Sequence, residues 1–184
     1  MSRREPLVVA VGNQLMGDDA VGYCAGRILE ECVEGGGPRV LSLQNLHPGV
    51  AAYLEGHDPI VFIDAVDARS VEPGARLVVA ELDPRRLSPE EVAEMITEIS
   101  SHEPSPLVIT VLAYAGGVLS GRVYLLGIPL DPSRVEPREG LSAEACRAAL
   151  EAAGEALRLT GFESSVIRVE CARRLLGDEC GCPK

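Results

Sequence analysis

The sequence contains no tryptophan and only 3% aromatic residues, so the core of this 184-residue chain must rest on Val, Leu, Ile and Ala. Its histidines are three, His47, His57 and His102. Serine and cysteine proteases generally set a His, or a Lys in its place, beside the nucleophile. No G-x-S-x-G elbow is present, none of the cysteines stands in a loop with a histidine close by in sequence, and the zinc-protease helix H-E-x-x-H is missing. The loop Gly12–Gly17 has neither the G-x-G-x-x-G spacing nor the G-K-[ST] ending of a phosphate cradle. Positive charge is also short. A net charge of −11 argues against nucleic acid and against anionic membranes as partners. No apolar run approaches a membrane span, and Met1–Pro6 is polar and charged, without an export signal. A soluble, cytoplasmic, single-domain protein is expected.

What is present is organised around Leu7–Gly22. Leu7–Val11 is a continuous β-branched run, as in a strand buried on both faces. Gly12-Asn13 breaks it, and Val21, Cys24, Ala25, Ile28, Leu29 and Cys32 then recur at helical spacing. Arg39–Leu43 alternates as a second strand, and Pro48 opens a short helix ending near Gly56. Pro59–Ile63 reads as a third buried strand, with Asp64-Ala65-Val66-Asp67 following it. Strand, helix, strand, helix, strand in sequence predicts an α/β fold with a parallel sheet and right-handed crossovers. Arg76–Glu81 and Val123–Gly127 read as further strands. Ser88-Pro89-Glu90-Glu91 is a capping box, and Ser142 begins the last helix. Leu107–Ala115 divides the signals. Its β-branched content favours a strand slightly, whereas Ser105 and Pro106 match a helix start.

Two acidic pairs stand after buried strands, Asp18-Asp19 and Asp64 with Asp67. In a parallel sheet the carboxyl ends of strands one and three share an edge, where open α/β folds build their sites. Asp19 and Asp64 are therefore expected to approach each other. Asp18 is read as the cap of the first helix, which leaves Asp19 for chemistry. Asp67 is balanced between loop capping and function, and His47 and His57 read as loop residues. Asp19, Asp64 and His102 together would suit a divalent transition metal with open positions left over. Cys24, Cys32 and Cys146 sit on apolar helix faces, where free Cys acts as a small hydrophobe. Cys180-Gly181-Cys182 is not a C-x-x-C pair. Without an export signal, disulfides are not the default, so Cys171, Cys180 and Cys182 are read as thiols of a mobile tail.

Five short motifs then fall in order: G-N-Q-L-M-G-D-D-A-V-G from Gly12, F-I-D-A-V-D from Phe62, E-P-G from Glu72, S-S-H from Ser100 and L-L-G-I-P from Leu125. In order and spacing they resemble the [NiFe]-hydrogenase maturation endopeptidases, over Leu7 to about Leu159. The resemblance implies a five-stranded, mostly parallel twisted sheet flanked by helices, with a helix at Pro106–Ala115. The chain is read as one domain over residues 1–161, with 162–184, outside the likeness, as the Cys-containing tail. The resemblance also implies removal of a C-terminal peptide from the large-subunit precursor once nickel is in place. Asp19, Asp64 and His102 match the metal-contacting positions, and Asp19 and Asp64 would be catalytic. The nickel would come with the substrate, so the free enzyme, expected to be a monomer, need hold none. Asn13, in the first motif, is assigned to the substrate. Where many members carry a Gly-rich segment after the second strand, this chain has Leu43-Gln44-Asn45-Leu46-His47-Pro48, which assigns His47 to the substrate as well. Ala20 stands where the family has Gly after the acidic pair. The alternative reading is a nickel-dependent checkpoint protein that inspects the large subunit without cutting it.

Overall fold

The computed structural model describes residues 4–98, 103–163 and 166–183. His102, one of the three expected metal contacts, lies outside the described residues. Five strands form one sheet in the order β2-β1-β3-β5-β4. They are β1 (Leu7–Val11), β2 (Arg39–Leu43), β3 (Ile60–Asp67), β4 (Val78–Glu81) and β5 (Val123–Leu130). The pairs β1–β2, β1–β3 and β3–β5 are parallel, whereas β4 runs antiparallel on β5 and closes one edge.

Every residue of β1 is buried, since helices cover both faces of the sheet. On one face pack α1 (Val21–Glu31), α4 (Ala143–Thr160) and α5 (Val169–Asp178), enclosing Val8, Ala10, Val61 and Ile63. On the other, the 3-10 segment Pro48–Leu54 and α3 (Pro106–Ala115) cover Val9, Val11, Ile60 and Phe62. The helix α2 (Pro89–Glu98) packs against α3. Its capping box is formed: Ser88 N donates to Glu91 Oε2 at 2.7 Å, and Glu91 N to Ser88 Oγ at 3.2 Å.

The divided stretch is the helix α3. Ser105 Oγ accepts from Val108 N at 3.3 Å, and Pro106 occupies the first helical turn. Its β-branched side chains, mostly apolar all round, suit a helix sunk into the core. Helix α1 lies closest to the sheet. A Cβ on Gly22 would collide with the carbonyl oxygen of Val11 and stand 2.9 Å from that of Ile63, and one on Gly26 would stand 2.5 Å from Ala10 Cβ.

The cysteines overturn the expectation of free thiols. Cys24–Cys180, Cys32–Cys171 and Cys146–Cys182 are disulfides, with Cα separations of 6.2, 5.6 and 6.1 Å. In place of a mobile tail, the chain forms α5 against α1 and ends in a turn bonded to the body. Val33 and Ile167 form an antiparallel bridge, flanked by Glu34 N donating to Val166 O at 2.9 Å and Arg168 N to Cys32 O at 2.8 Å. The apolar faces that carried Cys24, Cys32 and Cys146 are the faces α5 and its turn cover. Among the described residues no helix is long and apolar enough to cross a membrane.

Candidate active site

After β1 the chain turns to β2 on one side, and β3 is added on the other. The crevice at the carboxyl ends of β1 and β3 is therefore the sheet's topological switch point. The β1–β3 register runs from Leu7–Ile60 to Ala10–Ile63, so Asp64 is the first residue beyond it. Asp64 is still in the strand, however. Paired with β5, β3 continues through Asp67, opposite Gly127 to Leu130, so the acidic motif is strand and not the loop that the sequence predicts.

The first loop brings Asp19 to the same crevice. Asn13 N donates to Asp19 Oδ2 at 3.1 Å, and Asn13 Oδ1 accepts from Leu15 N at 3.0 Å, folding the loop into an Asx turn. Asp19 belongs to a 3-10 turn, Gly17–Ala20, that leads into α1. Asp64 lies largely buried, with Oδ1 accepting from Ala65 N at 2.8 Å. Burial pushes its pKa up to about 7, and the nearby charges of Asp19 and Glu103 add to the rise, against the lowering effect of the Ala65 hydrogen bond. Asp19 and Glu103 are thus close enough for their charges to be felt at Asp64. A carboxyl poised near neutrality can accept a proton from water and return it to a leaving amine.

Glu103 is the residue that sequence reading missed. It sits just past His102, and its Oε1 accepts from Leu46 N at 2.7 Å, binding the loop after β2 to the segment before α3. Its only signal in the sequence is its place beside the S-S-H motif. Gln44 Nε2 donates to Gln14 Oε1 at 3.4 Å, so the loops after β1 and β2 also touch. His47 stands exposed in the second of these loops, at the start of the Pro48–Leu54 turn. His57 is buried far from the crevice, with Nδ1 2.9 Å from Glu5 O. Asp67 caps the turn Ala68–Ser70, accepting from Arg69 N at 2.8 Å and from the Arg69 guanidinium at 2.7 Å.

Asp18 does not cap α1, as its position in sequence suggests; no side chain caps that helix. It is 1% exposed and points to the start of α4, accepting from Ser142 N at 2.6 Å, Ser142 Oγ at 2.7 Å and Arg138 at 3.1 Å. The two neighbouring carboxylates thus face opposite ways, Asp18 into the protein and Asp19 to the crevice. Among the described residues no group of three His, Cys, Asp or Glu side chains could hold a metal ion. Two cavities lie nearby, neither lined by Asp19 or Asp64. One, of 540 Å³, is lined by Gln14, Leu15 and Ala20 together with the Cys180-Gly181 turn, and another, of 470 Å³, by Asp18, Pro129 and Arg134.

Fold and site define a class: an α/β protein with paired carboxylates at the switch point of a largely parallel sheet. No family model matches the chain, and no curated protein does. Solved structures do. A hydrogenase 2 maturation peptidase from a Thaumarchaeota archaeon is 28% identical, with a TM-score of 0.58 over 87% of this chain and 100% of that one. The [NiFe] hydrogenase maturation protease HybD from Thermococcus kodakarensis is 25% identical, with a TM-score of 0.55 over 85% and 99%. The hydrogenase maturating endopeptidase HybD from E. coli shares the fold at 21% identity, with a TM-score of 0.61 over 90% and 99%. In fold, and at 25–28% sequence identity in two of these cases, the chain is similar to hydrogenase maturation peptidases.

Proposed function

We propose that this protein is an endopeptidase that removes a C-terminal peptide from the nickel-loaded large subunit of a [NiFe]-hydrogenase, the substrate's nickel serving as the recognition element. The observation that carries this reading is the meeting of Asp19 and Asp64 at the switch point, with the Asp64 pKa near 7. Asp19, Asp64 and His102 are the residues that would reach for the nickel brought by the substrate. Asp64 has the proton affinity of a general base toward the attacking water, and Asp19, held by the Asn13 amide, supplies fixed negative charge beside it. Asn13 and His47 would border the substrate. A large folded substrate that brings its own walls is compatible with a monomeric enzyme.

We place the protein in the cytoplasm with its substrate. Three disulfides there require a cell interior that tolerates them, as in hyperthermophiles.

The test is incubation with a nickel-loaded, unprocessed large subunit, read by intact mass. Loss of one C-terminal peptide is expected, and none from the nickel-free subunit. The Asp19→Asn variant should fold and not cleave. A fully active Asp19→Asn variant, or binding of the loaded subunit without shortening by the wild type, would overturn the endopeptidase assignment.

A further inference from the structure

The loop that carries Asp19 is gripped from outside by the segment around Arg138. Gly17 N donates to Arg138 O at 2.8 Å, and Arg138 N donates to Leu15 O at 3.0 Å, making a parallel bridge with Met16. The Arg138 side chain then crosses Gly17 to reach Asp18. Gly17 has φ +61°, and a Cβ there would stand 3.1 Å from two guanidinium nitrogens, so both the backbone and the crossing require glycine. Arg138 Nη2 donates to Asp18 Oδ1 at 3.1 Å, Ser142 donates to the same carboxylate through its N and Oγ, and Arg134 Nη1 stands 3.9 Å from Asp18 Oδ2. The segment is itself braced: Leu141 N donates to Cys180 O at 3.0 Å, and Gly140 packs on Gly181.

We propose that Arg138 is a positioning residue for Asp19. The inference rests on the endopeptidase reading for its kinetic consequence but not for its structural one. Asp18 and Asp19 are adjacent, so fixing Asp18 toward α4 turns Asp19 to the crevice, where Asn13 N receives it. Arg138 closes that clip from the solvent side, and its side chain remains 39% exposed.

The experiment compares wild type, Arg138→Gln and Arg138→Lys at a temperature well below their melting points. Cleavage of the nickel-loaded precursor gives kcat and KM separately, and amide exchange is followed at Asn13 and Gly17. Arg138→Gln should lower kcat by about tenfold or more with KM little changed, the usual penalty for a misplaced catalytic group. Amide exchange at Asn13 should quicken while β1 and α4 stay protected. Arg138→Lys, which restores a cation for Asp18, should recover most of kcat. A rise in KM alone would make Arg138 a substrate contact and overturn the proposal. Unchanged kcat with a lower melting point would make it structural only, with the same result. If the wild type itself does not cleave, the endopeptidase reading fails, and the exchange data decide the positioning claim alone. Unaltered protection at Asn13 in Arg138→Gln would then refute it.

Discussion

The burial of Asp64 costs the fold, and in the proposed reading it serves the chemistry. Its carboxyl titrates near 7 in the native protein, against 3.8 for the free group, chiefly because burial disfavours the charge. As pH rises from 3.8 to 7 the unfolded chain loses this proton first, so stability falls across that window and the loss is complete above it. The ceiling on this cost is about 4 kcal/mol. Asp64→Asn should therefore melt higher than wild type at pH 8 and about equally at pH 4, while losing processing altogether. Thermal melts at the two pH values and the cleavage assay check both halves. Wild-type activity should rise with pH through about 7 if the ionised carboxylate is the base. The placement of Asp19 and Asp64 at one sheet edge was legible because each follows a buried apolar run, and parallel topology sends such residues to one edge. Asp18 was misread because capping is judged from local sequence, whereas its partners, Arg138 and Ser142, lie 120 and 124 residues away. Glu103 acts through a contact with Leu46, 57 residues earlier, which no local pattern encodes.

Helix α1 is the element on which the crevice depends, since it starts at the first loop and rests directly on the ends of β1 and β3. Its approach is set by glycine. Gly22→Ala should push the helix off the Val11 and Ile63 carbonyls and destabilise the protein by about 1–3 kcal/mol or more. Gly177→Ala, in α5 with nothing within 4 Å of the added atom, should stabilise by roughly 0.5–1 kcal/mol. Chemical denaturation of the two variants checks the contrast, and a Gly22→Ala protein as stable as wild type would refute the close-packing account. At this scale the sheet was largely readable: the strands of the parallel core, the Ser88 capping box and the Ser142 helix start follow from local patterns. The propensity of α3 pointed the wrong way because burial on a helix and burial in a strand select the same β-branched residues. Its cap at Ser105 carried the better signal.

Across the whole molecule the least readable feature is the covalent one. Each disulfide joins residues far apart in sequence, separated by 156, 139 and 36 positions, and one partner of each (Cys24, Cys32 or Cys146) lies on or at the end of a helix face that looks merely apolar. Pairing depended on α5 docking, which itself could not be foreseen from a C-x-C ending. Reduction should loosen α5 and its turn first. Amide protection at residues 169–182 should fall before that of β1 and β3, and the melting temperature should drop under a dithiol reductant; protection that survives reduction unchanged would assign the docking to packing alone. The Cys24–Cys180 and Cys32–Cys171 bonds also make the chain two nested rings, with residues 33–170 inside both. A peptide bond cut anywhere in that interval adds one water to the mass and releases no fragment, because the N-terminal piece keeps Cys24 and Cys32 while the other keeps Cys171 and Cys180. Nicked and intact molecules would therefore co-purify as one species and separate only after their thiols are freed.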